Sequence, residues 1–248
     1  MKLKDIFRME MYKNRNDKSY LLVIAILTVL AATLTFWGII LAESSYTMTE
    51  NSTIYTTFIV MVVFTVIGLS ILSLLYPFHL LNVDYRNKVM SLIFASGVSR
   101  EKYYFVKISA TILTCFIAMF VILFIPAVTF LVVYPEVFVE MMQKIIENFT
   151  ISDIAPFVLM AVFSLLAYFV MLTTSVIITK GKVSGIFLFI GFSFAMSIIQ
   201  STFSMPLLMS MDLLKNINLY FNVTTVFSII QIVVFALIGL NVLRKQDL

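Results

Sequence analysis

The chain has 248 residues, of which 61% are hydrophobic and only 12% charged, with 24 phenylalanines, a mean hydropathy of +1.05 and a formal net charge of +4. A soluble domain carries roughly 25% charge, and no water-soluble core of this size could enclose that much apolar surface, so the bilayer must act as solvent for most of the chain. The lysines and arginines sit beside apolar runs of membrane length, which points to anionic lipid and excludes nucleic acid as their partner. The one cysteine, Cys115, rules out an internal disulfide and a CxxC metal or redox motif.

The first element runs from Lys2 to Lys18. At 100° per residue, Leu3, Ile6, Phe7 and Met11 share one face, with Lys4, Arg8 and Arg15 beside it, so an interfacial helix on the inner leaflet is expected over 1–19. Glu10 falls inside the apolar arc, where an ionised carboxylate is unfavourable without a partner. It is expected either to meet a basic group, such as Lys13 or a residue of the second connection, or to reach the headgroups.

Apolar runs follow at about 20–42, 55–80, 105–133, 154–179, 183–210 and 222–243, each long enough to span. The expected fold is therefore an all-α integral membrane protein, a single transmembrane domain over 1–248 with six transmembrane helices. The first run exceeds the apolar stretch of a cleaved signal peptide and is expected to stay as an anchor. Fifteen of the 17 Lys and Arg residues fall in the N-terminal segment, the second and fourth connections and the tail, leaving Lys144 and Lys215 in the others. Retention of basic residues on the cytoplasmic side then places both termini inside.

The second connection, Asn82 to Lys107, contains a short amphipathic pattern with Val89, Met90, Ile93 and Phe94 on one face and Lys88, Ser91 and Ala95 on the other. Gly97 is a natural stop and Ser99 a natural N-cap for the third span, which predicts a short helix over about Asn87–Ser96. Its apolar face must be covered by the lipid interface, by the protein's own helix ends, or by a groove on a cytoplasmic partner. The outward segment Tyr134–Asp153 places Glu136, Glu140 and Glu147 within about 40° of one another, opposite Phe138, Met142, Ile145 and Ile146. That acidic stripe is either a solvated polar face or a landing site for cationic peptides.

Much chemistry is missing. No Asp, Glu, Arg or Lys lies within the spans except at their ends, and the one histidine, His79, sits near the inner end of the second span. Ion-coupled carriers use intramembrane charges or broken helices, and intramembrane enzymes need a nucleophile with a base or a metal cluster. Neither set is present, and no GxxxxGK[ST] loop offers ATP binding. No catalytic residue, cofactor or metal is expected. Gly181–Gly185 is a GxxxG in form only, because its first half lies in a loop. Thr173, Thr174, Gln200 and Gln231 are expected to hydrogen-bond neighbouring helices, and Pro77, Pro126 and Pro206 to kink or end helices near the membrane faces.

In this layout the chain resembles the type-2 class of ABC transporter permeases over essentially its whole length. The segment Ile6–Arg15 is similar to that family's interfacial helix, with Glu10, Lys13 and Arg15 at its acidic and basic positions. The segment Asn87–Tyr103 looks like the family's coupling helix and the basic turn behind it, although Gly97 stands where members often have proline. Larger permeases with a similar Gly-Val-Ser-Arg turn have an extracellular domain that this chain lacks. The resemblance implies a half-transporter in the cell membrane of a bacterium. It would pair with a second copy or a related permease and be driven by a separate ABC ATPase subunit contacted through Lys88, Val89, Met90, Leu92, Ile93, Phe94 and Arg100. Small members of the family expel lantibiotics or export amphipathic peptides. The competing expectation is a non-transporting scaffold or sensor subunit of a peptide-sensing complex. On the permease reading, an aspartate at Ile93 or Phe94 would uncouple transport without disturbing insertion.

Overall fold

A computed structural model describes residues 3–44, 50–136, 139, 143, 151–208 and 213–246, without side chains at 41–66, 130, 151–153, 204–208 and 213–217. Its helices are α1 (Leu3–Arg15), α2 (Lys18–Ser44), α3 (Glu50–Arg86), α4 (Val89–Ala95), α5 (Arg100–Val133), α6 (Ile151–Ile178), α7 (Ser184–Leu208) and α8 (Leu213–Lys245). There is no strand among the described residues. Six of the helices carry stretches long and apolar enough to cross a membrane: Lys18–Ile40, Ile67–Arg86, Arg100–Val133, Ile154–Ile178, Ser184–Phe203 and Asn218–Lys245. The chain is an all-α, multi-pass membrane protein. A bilayer with no water in its interior leaves helices as the way for these segments to satisfy their own backbone, which is why apolar run length alone locates them.

The helices form two compact units, one of residues 1–8, 77–112 and 145–248, the other of 9–76 and 113–144. The division cuts α3 between Tyr76 and Pro77. Pro77, Pro126 and Pro156 all lie inside helices rather than ending them, although each lacks the N–H of an i→i−4 bond; the side chain of Pro206 lies outside the described residues.

In the first unit α6, α7 and α8 pack pairwise, α6 and α8 most extensively. The last turns of α6, from Phe169 to Ile177, are buried on every side, whereas Phe157, Val158 and Leu159 near its start remain exposed, as a lipid-facing surface would be. Small and hydroxylated residues allow the close approach. The Ser164 and Ser228 hydroxyls lie 3.1 Å apart, and Thr174 Oγ1 donates to the Phe235 carbonyl at 2.9 Å. Thr173 and Ser175 instead donate to the carbonyls of Phe169 and Met171 on their own helix. Aromatic edges fill the seam with α7: Tyr168 on Phe189 at 5.0 Å and Phe192 on Phe235 at 5.2 Å.

A Cβ on Gly239 would come within 2.8 Å of both Thr174 Oγ1 and Tyr104 Oη. Gly239→Val is therefore expected to lower stability by about 1–3 kcal/mol through overpacking, read as a lower unfolding temperature in detergent; an unchanged temperature would show that α8 can back away from α6.

In the second unit α2, α3 and α5 line a small apolar gap among Leu27, Leu30, Ala31, Leu34, Gly68, Leu69 and Ile122. Of the α1 face that hydrophobic periodicity suggests, Ile6 is 1% exposed, and the row of residues four apart that continues from it is the one most deeply buried. Leu3 is half exposed and Phe7 and Met11 are half-buried, while Glu10 and Asn14, in the second unit, are fully buried. Asn14 is held inside by a polar partner, its Nδ2 donating to Thr114 Oγ1 at 3.0 Å. Glu10 is thus enclosed by protein rather than reaching the headgroups, and it is not without a partner. Lys13 is half-buried and Arg15 exposed.

Candidate functional site

The functional candidates of the first unit gather where α3, α6 and α8 end and α4 and α5 begin. The short helix α4 forms between two left-handed residues. Lys88, at φ 53°, turns the chain out of α3, and Gly97, at φ +84°, turns it toward α5. Glycine tolerates that conformation without cost, and lysine does not. Ser99 then caps α5, its Oγ accepting from the Lys102 amide at 3.4 Å. The Gly97 turn and the Ser99 cap lie where the sequence places them, whereas the left-handed turn at Lys88 falls inside the helix that the pattern suggests and shortens α4 by two residues at its start; α4 ends one residue early.

The apolar face of α4 turns inward. Met90 and Ile93 are 1% and 9% exposed, and Val89 and Phe94 are half-buried, so the protein's own helix ends cover this face. Leu92, at 69% exposure, is the large apolar residue that α4 leaves uncovered. An aspartate at Ile93 would consequently be buried in the protein, so Ile93→Asp tests folding before it tests partner contact. Lys88 is exposed beside Leu92.

Behind α4 is a buried ion pair not apparent from the sequence. Asp84, two residues before the end of α3, and Lys107, two turns into α5, meet at 2.6 Å with side chains 0% and 2% exposed. Lys107 belongs to the helix proper rather than to the connection where charge counting puts it. The Tyr103 hydroxyl donates to the same Asp84 oxygen at 3.0 Å. Tyr103 in turn supports α4, since its ring packs edge-on against Phe94 at 5.4 Å.

Arg100 joins the same assembly to α8. Its guanidinium lies 5.5 Å from the centre of the Phe94 ring and donates to the carbonyls of Leu243 and Arg244 at 2.7 and 2.6 Å. Those carbonyls have no intrahelical donor, and a cation at a helix C-terminus also complements the helix dipole. An exposed ion pair between Arg244 and Glu101 adds a second link, worth little at such exposure. Gln246 ties the other ends together: its Nε2 donates to the Ile177 carbonyl at 2.7 Å and its Oε1 accepts from the Tyr85 hydroxyl at 3.0 Å. Gly181, at φ +74°, lets this turn pass Tyr85 and Asn82, whose Cβ and Cα would be 3.0 and 3.2 Å from an added Cβ.

The result is a platform of four helix ends, joined mainly by buried or half-buried polar contacts, with α4 fixed on it and Leu92 and Lys88 outward. No group of three or more His, Cys, Asp or Glu side chains suited to a metal occurs among the described residues. Of the acidic stripe, Glu136 is described and exposed, while Glu140 and Glu147 lie outside the described residues. Comparison of the chain with known protein families, curated proteins and solved structures gives no match.

Proposed function

We propose that this chain is the membrane-spanning permease subunit of an ATP-driven ABC transporter, expelling or exporting an amphipathic peptide or another hydrophobic compound across a bacterial cell membrane. The observation that carries this reading is α4, a short helix with a buried inner face, held to α5 through Phe94 and Tyr103 and tied through Arg100 to α8, with Leu92 left exposed. A partner that engages Leu92 and moves α4 would move α5 and α8 with it, because Phe94, Tyr103 and Arg100 leave little slack. Such an element suits a receiver of force from a nucleotide-driven subunit. The spans, rich in Phe, Leu and Met, have their charges near the helix ends, which favours an apolar or amphipathic cargo over an ion. Hydrolysis of ATP belongs to the partner in this reading, and two permease chains form the passage, with both termini cytoplasmic.

The test is gentle purification of the tagged chain from its native membrane, followed by mass spectrometry of what accompanies it. A stoichiometric ATPase carrying a Walker motif is the expected result. Its repeated absence with the chain intact would favour a scaffold or sensor subunit, and transport abolished by ionophores but insensitive to ATP depletion would favour an ion-coupled carrier.

A further inference from the structure

We infer that the turn joining α6 to α7 is a binding site for an anionic phospholipid, with Lys180, Lys182 and Arg86 around the headgroup and an exposed face of α7 along its acyl chains. The α6 helix ends in a Schellman pair of hydrogen bonds, the Gly181 amide donating to the Val176 carbonyl at 2.9 Å and the Lys180 amide to the Ile177 carbonyl at 3.1 Å. That motif puts residue 180 in the left-handed region, where glycine is usual. Here a lysine stands there at φ 52°, followed by Gly181 at φ +74°. A side chain kept where its own backbone disfavours it points to a use for that side chain.

Gly181 brings this turn against the end of α3, since a Cβ there would be 3.0 Å from Tyr85 Cβ and 3.2 Å from Asn82 Cα. Lys180 and Lys182 flank that contact on one segment and Arg86 follows it on the other, each one residue, or about 3.8 Å of chain, away. All three are exposed, and none makes an ion pair or a side-chain hydrogen bond among the described residues. The nearby acidic groups of the platform are already matched, Asp84 with Lys107 and Glu101 with Arg244. The cations stand where the spans Ile67–Arg86 and Ile154–Ile178 end and Ser184–Phe203 begins, which is headgroup depth. Directly after the turn, Val183, Phe187, Ile190 and Phe194 are each more than half exposed and recur at helical spacing, one apolar face leading from the cations into the bilayer. A soluble phosphate would use only the basic part of this surface, whereas a phospholipid uses both parts. The site does not depend on the transport reading.

The test is native mass spectrometry of the purified full chain in micelles holding equal amounts of phosphatidylglycerol and phosphatidylcholine. A lysine beside an anionic headgroup is worth roughly fivefold in binding, so the retained lipid should favour phosphatidylglycerol by at least about tenfold, and Lys180→Gly/Lys182→Gln should lose most of that preference. Glycine suits the backbone at position 180, so this variant should unfold at no lower a temperature than the wild type, which separates lost binding from lost folding. Lys18→Gln/Lys102→Gln removes two exposed lysines elsewhere and should keep the preference; an equal fall there would reduce the effect to the general attraction of a basic face and overturn the site. An even lipid ratio in the wild type, or a preference that survives in Lys180→Gly/Lys182→Gln, would overturn it too. Displacement of the bound lipid by millimolar glycerol phosphate would do the same, by making the ligand a soluble phosphate.

Discussion

Replacing Lys107 with methionine should destabilise the protein by about 3–5 kcal/mol, the usual consequence of leaving one member of a buried ion pair without its counter-charge. Asp84 would keep the Tyr103 hydroxyl, but a neutral donor does not replace the lost charge of Lys107 at a carboxylate that is 0% exposed. The loss should appear as a lower unfolding temperature and a smaller yield of monodisperse protein. Methionine nearly conserves the lysine stem, so packing is not the variable. The double variant Asp84→Asn/Lys107→Met should recover most of the loss, because asparagine can still accept from Tyr103 and no net charge is buried. A double variant as unstable as the single would mean that the pair has no special energetic role and that the ammonium of Lys107 matters through a contact other than Asp84.

Leu92→Asp should have the opposite profile, with normal folding and a lost partner. Leu92 is exposed in the isolated chain, so a charge there costs the permease little. If an ATPase groove encloses it, the interface loses the ~1.5–3 kcal/mol of a buried leucine and must also desolvate a carboxylate. Since 1.4 kcal/mol is a factor of ten in affinity, recovery of the ATPase should fall at least roughly tenfold, and transport with it. Ile93→Asp is the control: it places the charge in the protein's own interior, and the amount of folded chain should drop before any partner is involved. Wild-type ATPase recovery and transport by Leu92→Asp would remove α4 from the contact surface.

These two residues also mark where reading the sequence stops. Composition and apolar run length determined the fold class and the approximate position of every span, because crossing a bilayer fixes both length and polarity. Backbone chemistry at Gly97 and Ser99 likewise gave the turn after α4 and the start of α5, since a left-handed turn and a helix cap act on their immediate neighbours. The periodicity of α4 separated its apolar face from its polar one. Whether that face is covered by the protein itself or waits for a partner is a property of what stands opposite, and the chain itself buries Met90 and Ile93.

The same reason explains Asp84 and Lys107. They are separated by a turn, a short helix and another turn, and nothing local distinguishes them from the other charges of that connection. In α1 the hydrophobic pattern favoured Leu3, Ile6, Phe7 and Met11, and Ile6 is indeed buried, but the pattern gives no sign that Asn14 is fully enclosed, which follows from the hydrogen bond offered by Thr114, a hundred residues beyond it. Which segments enter the membrane follows from the local apolar run, through the free energy of moving apolar surface out of water. Which polar side chains are paired and enclosed depends on the packed fold, since a buried charge or amide is stable where long-range packing supplies its complement.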